Sequence, residues 1–317
     1  MDHTYPNHWK PVIRFLLTAI LCFVLQSSVV SQSSPISDTT GIQYPLRKPL
    51  LIGSGIFTGA GSYAGLYMAW YNDFNTGKFH TFDDNGEWLQ MDKVGHTMTT
   101  YHLGMISCDA LRWAGTDDRT SRWVGGLTGF FYQTGIEVMD GFSRGWGFSW
   151  GDQAANFLGS AVFISQDLAW GEQRIKLKYS STPSSYAQYR PELLGDNFQS
   201  KLLKDYNGQS YWASLNLKSF MHKANGFPAW VNVAFGYSGE GMIGGHNNPE
   251  DIVALYPDVN FTRRRQYLLS LDIDLTKIPV KSPFLKTLFG VIGFIKIPSP
   301  TIEVDDHGNF TFHPFYF

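Results

Sequence analysis

The stretch DGFSRGWGFSWGD, residues 140–152, spells G-x-S-x-G twice, around Ser143 and again around Ser149. The fold turns on how it is read. A nucleophile elbow sets its serine on a sharp turn between a strand and a helix, and so demands an α/β sheet around it. Here helical spacing runs up to Asp140, and no strand-like run leads into Ser149. Ser149 stands three residues before Asp152, the order of a helix N-cap. The stretch is therefore predicted to be a glycine-rich connection between two helices, and its serines to be loop and cap residues.

Working outward, four apolar segments have helical spacing: 49–71, 92–113, 122–139 and 152–170. Gly115 and Gly171 close the second and the fourth. In the first, Gly55 and Gly59, then Gly61 and Gly65, stand four apart, a spacing that lets helix backbones approach closely. After Arg174 the character changes. Alternating runs at 211–217, 230–237, 266–275 and 310–317 read as half-buried antiparallel strands. The fold class expected is α+β: an N-terminal four-helix apolar bundle followed by a smaller antiparallel β region packed on it. The C-terminal phenylalanine on an aromatic strand is similar to the ending of outer-membrane barrels, but four to six strands fall short of a closed one.

The expected organisation is a signal peptide at 1–31, a linker at 32–48, a helical domain at 49–172, a linker with a short helix at 173–210 and a β-rich region at 211–317. Lys10 and Arg14 precede the apolar run 15–25, and small polar residues follow, the order of a secretory signal cleaved after Ser31; a retained signal anchor is the alternative. Leu21 precedes Cys22, so no lipoprotein cleavage site is spelled. Cys108 is the other cysteine, which excludes a disulfide framework in the mature chain. Charged residues make up 16% of the chain and aromatic residues another 16%, a balance that points to surface facing lipid or a partner rather than bulk water. A net charge of −2 gives no footprint for nucleic acid. Gly239-Glu-Gly241-Met-Ile-Gly244 spells G-x-G-x-x-G, but turn residues follow where a dinucleotide site needs a helix, so no nucleotide is expected.

The few ionisable residues of the helices fall in stripes. Asp92 and His96 share a face of the second helix. Gly126, Gly129, Gln133, Glu137 and Asp140 step along the third, and Asp152, Asn156 and Gly159 along the fourth. Buried carboxylates need partners, so the three stripes are expected to face one another. The candidate catalytic residues are His96, Asp92, Glu137, Asp140 and Asp152; the candidate binding residues are Lys93, Gln133, Arg144 and Asn156. A structural hydrogen-bond network accounts equally well for the set. No H-E-x-x-H and no Cys/His cluster occurs, so no metal ligands are assigned and no cofactor is named. A mixed site would draw on His96, Glu137 and Asp140 or Asp152.

The motifs WLQMDKVGH (88–96), GIEVMDGFS (135–143) and GDQAANFLG (151–159) resemble the YfiM-like family of uncharacterised exported envelope proteins, in its longer Bacteroidetes-type form, and more loosely the VanZ-like membrane family. The resemblance implies an envelope location, in the periplasm or at the outer membrane, and the same candidate residues: Asp92, Lys93 and His96, then Glu137 and Asp140, then Asp152, Asn156 and Gly159. It implies no reaction. The expectation is a membrane-associated protein, structural or partner-binding, with a membrane or envelope partner; the alternative is a hydrolase-type enzyme using the polar centre on a lipid-linked or cell-wall substrate.

Overall fold

A computed structural model describes residues 46–68, 77–221 and 226–317. The expected signal peptide and residues 32–45 of the expected linker lie outside them. The architecture is α+β, with long helices followed by a six-stranded antiparallel sheet.

Among the described residues four long helices precede the sheet: α1 (Arg47–Leu66), α2 (Met91–Trp113), α3 (Gly126–Phe142) and α4 (Trp150–Trp170). α2, α3 and α4 pack closely on one another at glycines. A Cβ on Gly129 would lie 2.4 Å from the Thr100 carbonyl oxygen, and one on Gly159 would lie 2.2 Å from that of Thr97. Neither position has room for a side chain, so these glycines set the spacing of the three helices. α1 leans on this group through polar contacts. Its Tyr63 hydroxyl donates to the Tyr132 carbonyl at 2.6 Å, and the Tyr132 hydroxyl donates to Ser62 Oγ at 2.9 Å. The expected close approach at Gly55 and Gly59 is not made among the described residues, where a Cβ on either would meet open space. Among the described residues no helix is long and apolar enough to cross a membrane.

The 140–152 stretch is a loop bracketed by helices. Its ends are pinned by residues 77–82: the Gly77 amide donates to Phe142 O at 2.7 Å, His80 to Gly141 O at 2.9 Å, and Phe82 and Phe148 exchange bonds with the same segment at 3.0 Å. Ser149 is the N-cap of α4, its Oγ accepting the Asp152 amide at 3.0 Å. Gly171 caps the other end at φ 67°, the left-handed conformation that glycine adopts without cost.

The sheet is a meander in sequence order: β1 (Ile175–Ser181), β2 (Gln209–Asn216), β3 (Val231–Glu240), β4 (Arg264–Ile273), β5 (Ser299–Asp305) and β6 (Phe310–Tyr316). Two strands escape the sequence reading. β1 lies within 173–210, where a linker was expected, because its alternate lysines suggest solvent when they in fact point inward: Lys178 is fully buried against Asp272 at 2.7 Å. β5 contains Pro300, which argues against a strand, yet the residue sits where its missing N–H is tolerated. α5 (Phe198–Lys204) is the expected short helix, and α6 (Pro283–Ile292) links β4 to β5. G-x-G-x-x-G leaves β3 through a left-handed turn at Gly241, φ 78°, with no helix at Gly244.

β1 and β2 join the sheet to the helices. His102 Nε2 lies 2.9 Å from Leu177 O, and Gln166 Nε2 donates to Ile175 O at 2.9 Å. Burial depresses the His102 imidazole to about 4, so it is a neutral donor to that carbonyl.

Candidate functional site

A turn with unusual backbone opens the site. Trp88, Leu89 and Gln90 all have positive φ, at 48°, 52° and 64°. Left-handed conformation costs roughly 1 kcal/mol or more per non-glycine residue, and a run of three survives only where its surroundings hold it. They do so here. The Trp88 amide donates to Gly245 O at 2.9 Å, Arg265 Nη2 donates to Gln90 Oε1 at 2.8 Å, and the Tyr237 hydroxyl donates to Leu89 O. Leu89 is buried with Met91 and Met242. The β region thus clamps the turn from which α2 starts, and the first residues of α2 are Asp92, Lys93 and His96.

Two linked groups form the polar centre. In the first, His96 Nε2 stands 3.8 Å from both Asp92 Oδ1 and Glu137 Oε1. Its other ring nitrogen, Nδ1, is 3.0 Å from Asn156 Oδ1, an oxygen that also accepts from the Thr100 hydroxyl at 3.3 Å. Nε2 is therefore the ring nitrogen that faces the carboxylates. Gln133 Nε2 packs on the same ring edge at 3.3 Å. In the second group, Lys93 Nζ lies 2.7 Å from Asp84 Oδ2, 2.9 Å from Asp152 Oδ1 and 3.5 Å from Asp92 Oδ2. Ser149 ties this group to the loop. Its Oγ donates to Asp84 Oδ1 at 2.6 Å, while its amide donates to Glu137 Oε2 at 3.1 Å. The Tyr206 hydroxyl, brought in from outside the helices, donates to Asp92 Oδ1 at 2.9 Å.

These groups border a cavity of about 250 Å³. Asp84, Glu87, Asp92, His96, Glu137, Asp140 and Asp152 supply its ionisable lining, and Phe82, Trp88, Trp146 and Tyr206 its aromatic walls. Burial raises the Glu137 carboxyl to about 7 even though His96 and the Ser149 amide pull it down. Burial and the Asp92 charge push Asp152 above the usual carboxylate range. Burial also opposes Asp84, but hydrogen bonds with Asp152, Lys93 and Ser149 hold it below that range. Lys93, which burial would discharge, is pushed up to about 12 by Asp92 and by its two bonded carboxylates. Burial likewise lowers His96, but the charges of Asp92, Asp152 and Glu137 outweigh it and the imidazole is held above its ordinary value. His96, held above its ordinary value, and Glu137, raised to about 7, thus stand side by side at the cavity as a candidate proton donor and acceptor.

Of the candidates, Asp92, Lys93, His96, Glu137 and Asp152 come together, with Asp140 on the cavity wall. Gln133 and Asn156 stand behind His96 and position it rather than line the cavity. Arg144, expected among the binding residues, is exposed and lies over Gly77, outside the lining. The loop turns it outward because Ser143, the buried C-cap of α3, faces the other way. Asp84 and Tyr206 were missed. Asp84 sits in a turn-rich run that carries no helical period, and Tyr206 is more than a hundred residues from its partner Asp92. Asp92, His96 and Asp152 offer ligand atoms within 4.8 Å of one another, a set that suits a divalent cation. Lys93 already supplies positive charge to Asp152 there.

No curated protein and no solved structure matches the chain significantly. Residues 80–165 match the family model described as a predicted periplasmic lipoprotein, domain of unknown function 2279 (DUF2279). This segment holds every carboxylate, the histidine and the lysine of the polar centre, Tyr206 alone coming from outside it, and ends before the sheet, so the part of the chain that is similar to an uncharacterised, exported envelope family carries most of the site.

Proposed function

We propose that the chain is a membrane-associated envelope protein whose polar centre binds and hydrolyses a lipid-linked or cell-wall substrate by acid–base catalysis. One observation carries this reading: Glu137, 2% exposed and raised to about 7, stands 3.8 Å from His96 at the edge of a cavity. A network that served only to hold helices together would be expected to satisfy its charges internally, without leaving an aromatic-walled space beside them. In this reading Glu137 takes a proton from the attacking water, and His96, whose imidazolium Asp92 and Asp152 hold charged, gives one from Nε2 to the leaving oxygen. Lys93 balances the charge of Asp84 and Asp152 behind the cavity wall, and Trp88 and Trp146 stack on the substrate body. The likeness of the three motifs to YfiM-like and VanZ-like proteins supports an envelope setting for such chemistry.

A structural role for the centre is the second reading. It is favoured by the Thr100, Asn156 and Gln133 bonds, which join α2 to α3 and α4 at the plane of His96. Separate His96→Ala and Glu137→Gln variants, expressed in a strain lacking the chain, distinguish the two. Under the enzymatic reading both lose envelope function about a hundredfold or more at normal folding and abundance, the usual cost of removing a general acid or base. Full function in either variant, or loss only through misfolding, favours the structural role.

A further inference from the structure

The sheet is inverted with respect to a protein in water. Along β4 the buried positions are Gln266, Leu268, Ser270 and Asp272, while the intervening Tyr267, Leu269 and Leu271 are exposed. Along β5 every second residue is a buried Ser, Thr, Glu or Asp, and Ile302 and Val304 face outward. Register carries the pattern across strands. Phe235 pairs with Leu269, Leu269 with Ile302, and Ile302 with Phe312, so one outward row on four strands is wholly apolar. These four side chains are 54%, 42%, 37% and 59% exposed. The neighbouring row, through Tyr267 and Val304, repeats the pattern.

We infer that the outer face of β3–β6 docks into a lipid bilayer. Burying apolar surface stabilises by roughly 25 cal/mol per Å², so a polar interior with an apolar exterior is the arrangement that hydrocarbon surroundings select. The only Asp, Glu, Lys, Arg or His on the outward rows of β3–β6 is Arg265, at the end of β4 and paired with Asp306 at 3.7 Å. Between that end and Ile273 the apolar band is roughly 20 Å tall, at about 3.4 Å per residue, against a hydrocarbon core of about 30 Å. The band is therefore deep enough to reach past the headgroups into the hydrocarbon but shorter than the whole core. A second copy of the chain is the poorer occupant. An isologous contact covers one patch, and the helices carry their own exposed aromatic residues, Phe57 at 74% and Phe157 at 63%. The inference rests on the membrane association proposed above, but on none of the polar-centre residues.

The full chain with Cys22→Ser and Ile302→Cys, labelled at residue 302 with a bimane fluorophore, tests it; Cys108 is buried and does not compete. The protein is mixed with vesicles of phosphatidylethanolamine and phosphatidylglycerol, a portion of the lipid bearing dibrominated acyl chains. Bromine is expected to quench the label, and adding Leu269→Arg is expected to reduce the quenching about tenfold while the circular dichroism is unchanged. Absence of quenching in the folded protein overturns the proposal, whether the face is then found in water or covered by a second copy. So does quenching that Leu269→Arg leaves intact. Neither substitution touches His96 or Glu137, so docking and acid–base chemistry fail or stand separately.

Discussion

Glu137 is the residue whose ionisation says most about the centre. Its carboxyl moves from an ordinary 4.5 to about 7 because burial penalises the charged form. Between those values the folded chain holds a proton that the unfolded chain has released, so native stability falls as pH rises through that window. His96, also raised, loses its stabilising charge in the same direction, so the sign of the combined effect is unambiguous. Glu137→Gln removes the carboxyl contribution while keeping an acceptor for the Ser149 amide. The variant is expected to match the parent near about pH 5 and to exceed it near about pH 8, by roughly 3 kcal/mol as an upper bound. Thermal melts at the two pH values check this, and equal differences at both would show that Glu137 is ionised throughout. The sequence placed Glu137 and His96 on facing stripes. It did not place Asp84, whose role depends on Ser149 and Lys93 meeting it across the loop.

At the scale of elements, the close contact of α2, α3 and α4 is what makes a site from three stripes. Gly159 leaves no room beside Thr97 O and Thr100 Cβ, and Thr100 is the residue that orients Asn156 toward His96. Gly159→Leu is expected to cost about 1–3 kcal/mol by overpacking and to tilt α4 away from α2. Urea denaturation reads the stability. The histidine proton resonances of His96 read the tilt, since its bond to Asn156 is broken with it. The left-handed turn at Trp88, Leu89 and Gln90 was not legible beforehand. Nothing in the residue types favours positive φ there, and the conformation is imposed by Gly245, Arg265 and Tyr237 from distant parts of the chain.

At the scale of the molecule, buried polar side chains outnumber buried apolar ones among the described residues, and large apolar side chains populate the surface. The interior of the sheet combines a small apolar cluster of Trp212, Ala234 and Leu268 with buried ion pairs. Asp272 accepts from Lys178 at 2.7 Å and from the Ser214 hydroxyl at 2.6 Å, with Lys296 at 4.0 Å, and both lysines are fully buried. Burial lowers Lys296 to about 8 against the pull of Asp272. Asp272→Ala leaves two buried ammonium groups without their counter-charge and is expected to cost about 3–5 kcal/mol, measured by chemical denaturation. A cost under about 1 kcal/mol would mean that water reaches the lysines. The sequence by itself determined the helices, the three polar stripes and four of the six strands, because 3.6- and 2-residue periods are local properties of a chain. Only the tertiary structure decided which face of each strand is the inside, that Asp84 and Tyr206 complete the centre, and that Arg144 does not belong to it. Those depend on strand register and on contacts between residues far apart in sequence, where pairing a lysine with an aspartate can reverse what polarity alone predicts.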